Sequence, residues 1–154
     1  MKRRAFICAS GAALAATALG ARAQGFQPPQ DIAPLIAKIT GGATPVREAV
    51  EVQLPLIAEN GNSVPLRIKV ASPMSAEDHV KALYVFAERN PRPLVATFHL
   101  GLRSGRAEIA TRARLAGTQR VTALAELSGG RFVFGEADVL VTTAACLDES
   151  TMGT

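Results

Sequence analysis

Val64, Leu66, Ile68 and Val70 alternate with Pro65, Arg67 and Lys69, and this alternation is the tightest constraint on the fold. A period of two places like side chains on one face of an extended backbone, so the segment reads as a strand with one buried face. Val50, Val52 and Leu54 alternate with Glu51 and Gln53 in the same way, and Glu59-Asn60-Gly61-Asn62 between the two runs reads as a turn. Val80–Ala87 predicts a third strand, introduced by the polar loop Ser72–His79 and broken by Asn90-Pro91-Arg92-Pro93. Leu94–Leu100 follows, then a glycine-bounded turn at Gly101–Gly105. In Ala107–Leu115, Ile109, Ala113 and Leu115 alternate with Glu108, Arg112 and Arg114. Val121–Leu127 and Arg131–Phe134 flank Ser128-Gly129-Gly130, a hairpin signal, and Val139-Leu140-Val141 predicts the last strand.

Ahead of the strands, Asp31 is placed to cap a short helix over Ile32–Ile39, with Pro34 in its first turn and Gly41-Gly42 ending it. Seven or eight short strands with evenly spaced turns predict an all-β fold: an immunoglobulin-like antiparallel β-sandwich with a short N-terminal helix. A small barrel is the alternative. The chain has no Trp and one Tyr, so its core must come from Val, Leu, Ile, Ala and a few Phe.

Residues 1–23 have the parts of an export signal. Lys2-Arg3-Arg4 is basic, Phe6 to Leu19 is apolar, and Ala21-Arg22-Ala23 is the small-x-small pattern that precedes cleavage. Arg3-Arg4 ahead of Phe6 and Ile7 reads as a twin-arginine signal, which predicts a periplasmic protein folded before export. The apolar run is too short to span a bilayer, so no membrane anchor is expected. The rest divides into a flexible leader over residues 24–30, a domain over 31–141 and a C-terminal arm over 142–154.

The signal also accounts for the charge. The formal net charge is +4, from 17 basic and 13 acidic residues, and Lys2, Arg3, Arg4 and Arg22 lie within residues 1–23. The mature chain keeps 13 of each sign and is formally neutral. The basic balance therefore carries no implication of nucleic-acid binding.

Two cysteines are present, and Cys8 falls in the signal. Cys146 is then left alone, in Thr142-Thr143-Ala144-Ala145-Cys146-Leu147-Asp148-Glu149. A lone thiol in an exported chain has no internal disulfide partner, so it is either paired with another molecule or used chemically. His79 and His99 are the only histidines. No Cys/His spacing suggests zinc, and no phosphate loop, Ser-His-Asp order or paired-carboxylate signature is present. Neither metal nor cofactor is expected. Arg112 and Arg114 share a polar face and read as solvated or paired across the sheet, with partner docking as the other reading.

Several stretches resemble the SoxY family, the sulfur-carrier subunits of periplasmic thiosulfate oxidation. They are Ile39-Thr40-Gly41-Gly42-Ala43-Thr44-Pro45, Ile57-Ala58-Glu59-Asn60-Gly61-Asn62-Ser63-Val64-Pro65, Asn90-Pro91 with Ala96-Thr97-Phe98, and Ala110-Thr111-Arg112-Ala113-Arg114-Leu115-Ala116-Gly117-Thr118-Gln119. The resemblance implies an immunoglobulin-like sandwich paired with a second such subunit, SoxZ. It also implies a flexible C-terminal arm whose cysteine carries sulfur intermediates between enzymes, a role that falls on Cys146. The family arm is Gly-Gly-Cys-Gly-Gly. Here Ala144, Ala145, Leu147 and Asp148 flank the cysteine, which is closer to a SoxY-related subgroup whose arm reads Ala-Ala-Cys-Ile-Glu.

This arm sets its own chemistry. The thiolate is the nucleophile, and a free cysteine has a pKa of about 8.5. Asp148 and Glu149 disfavour a nearby anion, so the thiol is expected to be quiet until a basic or metal-containing partner site activates it. Alanines in place of glycines predict a stiffer arm, and Leu147 a wider or partly apolar partner mouth. The chain is expected to be a carrier and not an enzyme. The rival is a structural sandwich whose tail thiol tethers it to another protein by a disulfide.

Overall fold

The computed structural model describes residues 28–142. The expected export signal with Cys8, most of the expected leader, and the expected arm residues Ala144, Ala145, Cys146, Leu147 and Asp148 lie outside the described residues.

Helix α1 spans Ala33–Thr40, one residue later than the sequence predicts. The N-cap position is Ile32 and not Asp31, whose Oδ1 accepts the Ala33 N–H at 2.9 Å from one residue earlier, and Gly41 ends the helix in the left-handed conformation at φ 64°. Eight strands follow: β1 Val50–Gln53, β2 Ile57–Ala58, β3 Val64–Val70, β4 Val80–Ala87, β5 Leu94–His99, β6 Glu108–Ala113, β7 Gln119–Leu127 and β8 Phe132–Val141. They form a three-stranded sheet, β1-β3-β6, and a five-stranded sheet, β2-β8-β7-β4-β5. The fold is therefore the two-sheet β-sandwich that the alternation predicts.

The main core lies between the sheets. Strand β3 contributes Val64, Leu66, Ile68 and Val70, facing Leu83 and Val85 of β4, Val121, Ala123 and Ala125 of β7, and Val133, Val139 and Val141 of β8. A second cluster covers the outer face of the five-stranded sheet. Phe86, Leu124 and Phe132 pack there beneath Ile32, Leu35, Ile36 and Ile39 of α1 and its approach. That cover explains why β4 and β7 are apolar almost throughout: both of their faces are buried.

Two features depart from the sequence expectation. Strand β8 is one ten-residue strand, where Arg131–Phe134 and Val139–Val141 were expected as two. Gly135, inside this strand, sits beneath the Val50 carbonyl, where any side chain would collide with the oxygen. It lets β1 lie close across β8 and does not end the strand. The sandwich is also not wholly antiparallel. β2, which alternation could not reveal in two residues, runs parallel to β8, pairing Ile57 with Leu140 and Ala58 with Val141. Val46 makes a further parallel bridge to Val133 on the same edge.

Candidate functional site

The sequence directs attention to the tail, and the last described residues show how its root is held. Strand β8 has neighbours on both sides. On one side its ladder with β7 closes at the Gln119–Val139 pair. The Thr118 side chain then takes over: its hydroxyl accepts the Val141 N–H at 2.9 Å and faces the Val141 carbonyl at 3.4 Å. On the other side, the Leu140 N–H donates to the Leu56 carbonyl and the Thr142 N–H to the Ala58 carbonyl, both at 3.0 Å. The Thr142 hydroxyl adds a 3.1 Å bond to the Glu59 carbonyl. Residues 140–142 are thus gripped from both edges, and the next residue begins the segment that leads to Cys146.

The holding groups are fixed in turn. The turn at Glu59-Asn60-Gly61-Asn62 is closed by Asn60 Oδ1, which accepts the Asn62 N–H at 2.8 Å. It is tied to the neighbouring loop by the Leu115 N–H on the Gly61 carbonyl at 2.7 Å. Asn90 is buried, and its Nδ2 donates to the Arg114 carbonyl at 2.8 Å while its Oδ1 accepts the Ala116 N–H at 2.9 Å. Gln119, also buried, donates to Asn90 Oδ1 and to the Gly117 carbonyl and accepts the Arg89 N–H. Buried amides satisfied on both ends are costly to disturb, so this network keeps the Arg114–Gln119 loop in one conformation.

An open groove of about 560 Å³ lies beside the root, lined by Leu56, Glu88, Arg89, Thr118, Arg120 and Leu140 among others. Arg120 pairs with Asp138 at 3.1 Å, and the Asp138 hydrogen bond, with its charge and that of Glu136, raises the guanidinium pKa above its ordinary value. Leu56, Ile57 and Leu140 are exposed at 85, 59 and 48 %, so this end of the sheet presents apolar surface to solvent.

Sequence reasoning treated Glu59–Asn62 as a turn, Asn90-Pro91 as a strand breaker and Gly117-Thr118-Gln119 as part of a run. The structure brings all three to the root of the tail. The available signal was their chemistry: short amides and hydroxyls beside a strand end are the groups that bond to backbone.

The other sequence candidates lie elsewhere. Arg112 holds the β2–β3 turn, its Nε donating to Ser63 Oγ at 2.6 Å and a terminal nitrogen to the Ser63 carbonyl at 3.0 Å. Arg114 falls just past β6, and its backbone carbonyl serves the Asn90 network. His79 Nδ1 lies 3.0 Å from the Ser75 carbonyl, and His99 ends β5. Among the described residues, no three His, Cys, Asp or Glu side chains converge to hold a metal ion. No helix among them is long and apolar enough to cross a membrane.

Fold and site together define a class: a two-sheet β-sandwich whose last described residues, 140–142, are held on both edges. The sequence profile described as "Sulfur oxidation protein SoxY" matches residues 36–146, and the chain belongs to the SoxY family. The sulfur carrier protein SoxY from Chlorobium limicola f thiosulfatophilum shares the fold with a TM-score of 0.58 at 28 % identity, covering 71 % of this chain and 94 % of its own. A superoxide reductase from Nanoarchaeum equitans matches with a TM-score of 0.53 at 12 % identity, covering 62 % of this chain and 100 % of its own. That likeness concerns the fold alone. No functionally curated protein matches the chain.

Proposed function

We propose that this chain is the sulfur-carrier subunit of a periplasmic sulfur-oxidation system, with Cys146 as the covalent attachment point and residues 142–154 as its arm. The observation that carries the reading is the SoxY family match, which extends to residue 146. The structural likeness to a sulfur carrier protein supports it. So does the hold on residues 140–142, the last described ones, by Thr118 on one edge and the Leu56–Glu59 segment on the other.

The chemistry is divided between chain and partners. The Cys146 thiol joins a sulfur donor such as thiosulfate through a new S–S bond. The thiol proton goes to water, and an electron pair goes to an oxidising partner enzyme. Hydrolytic or oxidising enzymes then remove the cargo and return the free thiol. The chain supplies an accessible nucleophile and does not itself catalyse these steps. A SoxZ-like sandwich is its partner subunit, and the twin-arginine signal delivers the chain to the periplasm.

The test is radiolabelled thiosulfate given to cells making the protein. Label should be retained on the wild-type chain, be released by a thiol reductant, and be absent from C146S. A reducible, label-free mixed disulfide to one protein would favour the tether reading.

A further inference from the structure

Among the described residues the two sheets end in four edge strands, and three of these are blunted. Strand β2 has two residues, and β1 has four, with Glu51 among them. Strand β6 carries Glu108 and Arg112, which bond to Arg67 and Ser63. Short length and charge keep a sheet edge from pairing with another chain. Strand β5 is the exception: Leu94–His99 has six residues and no Asp, Glu, Lys or Arg. Its one irregularity falls at the Val85–Phe86 step of β4 and leaves Ala96 to His99 in regular register. The sheet packed against it has three strands against five, and Ala96, Phe98 and Leu100, though they lie on the core, are only half-buried.

The Leu100 N–H donates to the Lys81 carbonyl at 2.9 Å. Backbone groups alternate sides along a strand, so those of Phe98 and Ala96 also turn toward β4, and those of Thr97 and His99 turn toward the open edge. That edge is compatible with itself. In antiparallel pairing about a two-fold axis at Phe98, Thr97 and His99 of one copy exchange hydrogen bonds with His99 and Thr97 of the other. Phe98 then meets its counterpart in a close, non-hydrogen-bonded pair, and Ala96 meets Leu100. Each pair joins side chains that suit one another, and an edge without charge gives no electrostatic preference for a different partner. We propose that β5 is a self-association edge, through which two copies of this chain join their five-stranded sheets into one continuous sheet. The opposite edge of that sheet, where β2 and β8 hold residues 140–142, then lies at each outer rim of the dimer. The inference does not depend on the carrier reading, and it leaves both rims open to partners.

The experiment is sedimentation velocity of the full chain, kept reduced so that no disulfide links two copies. Thr97 and His99 are exposed, so T97K/H99K and T97K/H99E alter the edge without entering the core. The parent should sediment as a monomer–dimer mixture that shifts with concentration. T97K/H99K sets lysine opposite lysine on both sides of the two-fold axis and should weaken the dimer about tenfold or more. T97K/H99E sets lysine opposite glutamate and should restore dimerisation to the parent level. The two variants share the first substitution, so recovery in the second separates lost pairing from lost folding. A parent that stays monomeric up to about 1 mM would overturn the proposal. So would a dimer indifferent to T97K/H99K, or one that T97K/H99E fails to restore. A monomeric parent whose binding to a SoxZ-like subunit is weakened by T97K/H99K would assign the edge to that subunit and overturn self-pairing.

Discussion

Gln119 Nε2 donates a 3.2 Å hydrogen bond to Asn90 Oδ1 in the interior of the sandwich, joining the loop after β4 to the loop before β7. Both side chains are buried, and both also bond to backbone of the opposite loop. Asn90→Ala strands the Ala116 N–H, the Arg114 carbonyl and one end of Gln119. The variant should lose about 2–4 kcal/mol of stability, since each orphaned buried group keeps its desolvation cost. Chemical denaturation checks this, and a loss below about 1 kcal/mol would show that the network is not a structural constraint.

Gly135 makes a different demand. Its conformation is open to any residue, but a methyl group there meets the Val50 carbonyl oxygen. Backbone cannot move aside as a flexible side chain can, so Gly135→Ala should cost about 2–3 kcal/mol and loosen β1 from β8. Thermal unfolding reads the cost. A neutral variant would mean that β1 does not lie so close in solution.

Thr122 is buried, and its hydroxyl has no hydrogen-bond partner among the described residues. Thr122→Val keeps the shape and removes the unpaired group. It should leave stability within about 1 kcal/mol of the parent or raise it, whereas most buried polar substitutions are costly. Destabilisation well beyond that in denaturant titration would contradict the prediction.

Tyr84 is the only tyrosine, so its ionisation can be followed directly by ultraviolet absorbance. Burial raises its pKa first, and the neighbouring Glu126 carboxylate, which accepts the phenol hydrogen bond at 3.3 Å, adds to the shift. Lys81, paired with Glu126 at 2.8 Å, is also shifted upward, by that hydrogen bond and the carboxylate charge. A raised folded-state pKa means that the folded chain holds its proton longer than the unfolded chain. The stability from both groups is therefore complete below about pH 10 and is lost as pH rises through the folded-state values. The phenol should ionise above the ordinary tyrosine range, and E126Q should move its midpoint down. A midpoint at or below about 10 in the folded parent would be contrary.

Much of the fold was readable because burial on one face leaves a period of two. Strand β3 shows it residue by residue, and α1 announces itself through Asp31, Pro34 and Gly41-Gly42. What escaped reading depended on distant partners. Nothing local in Ile57-Ala58 marks a strand, because the pairing is supplied by Leu140 and Val141 from the far end of the chain. Arg131–Phe134 and Val139–Val141 read as two strands because the sequence does not show that β7 pairs along the whole of Phe132–Val139. The candidate site divides in the same way. Cys146 was singled out by cysteine arithmetic, whereas Thr118 and Asn90 acquire their roles only when three loops meet at the end of β8.

The central claim is that Cys146 carries sulfur, and intact-mass spectrometry with peptide mapping of the protein from cells oxidising reduced sulfur compounds tests it most directly. The account predicts a chain lacking residues 1–23, with reductant-labile increments of sulfur, sulfite or thiosulfate on the peptide containing Cys146. A bare thiol throughout, or one uniform disulfide to a single protein, would contradict it.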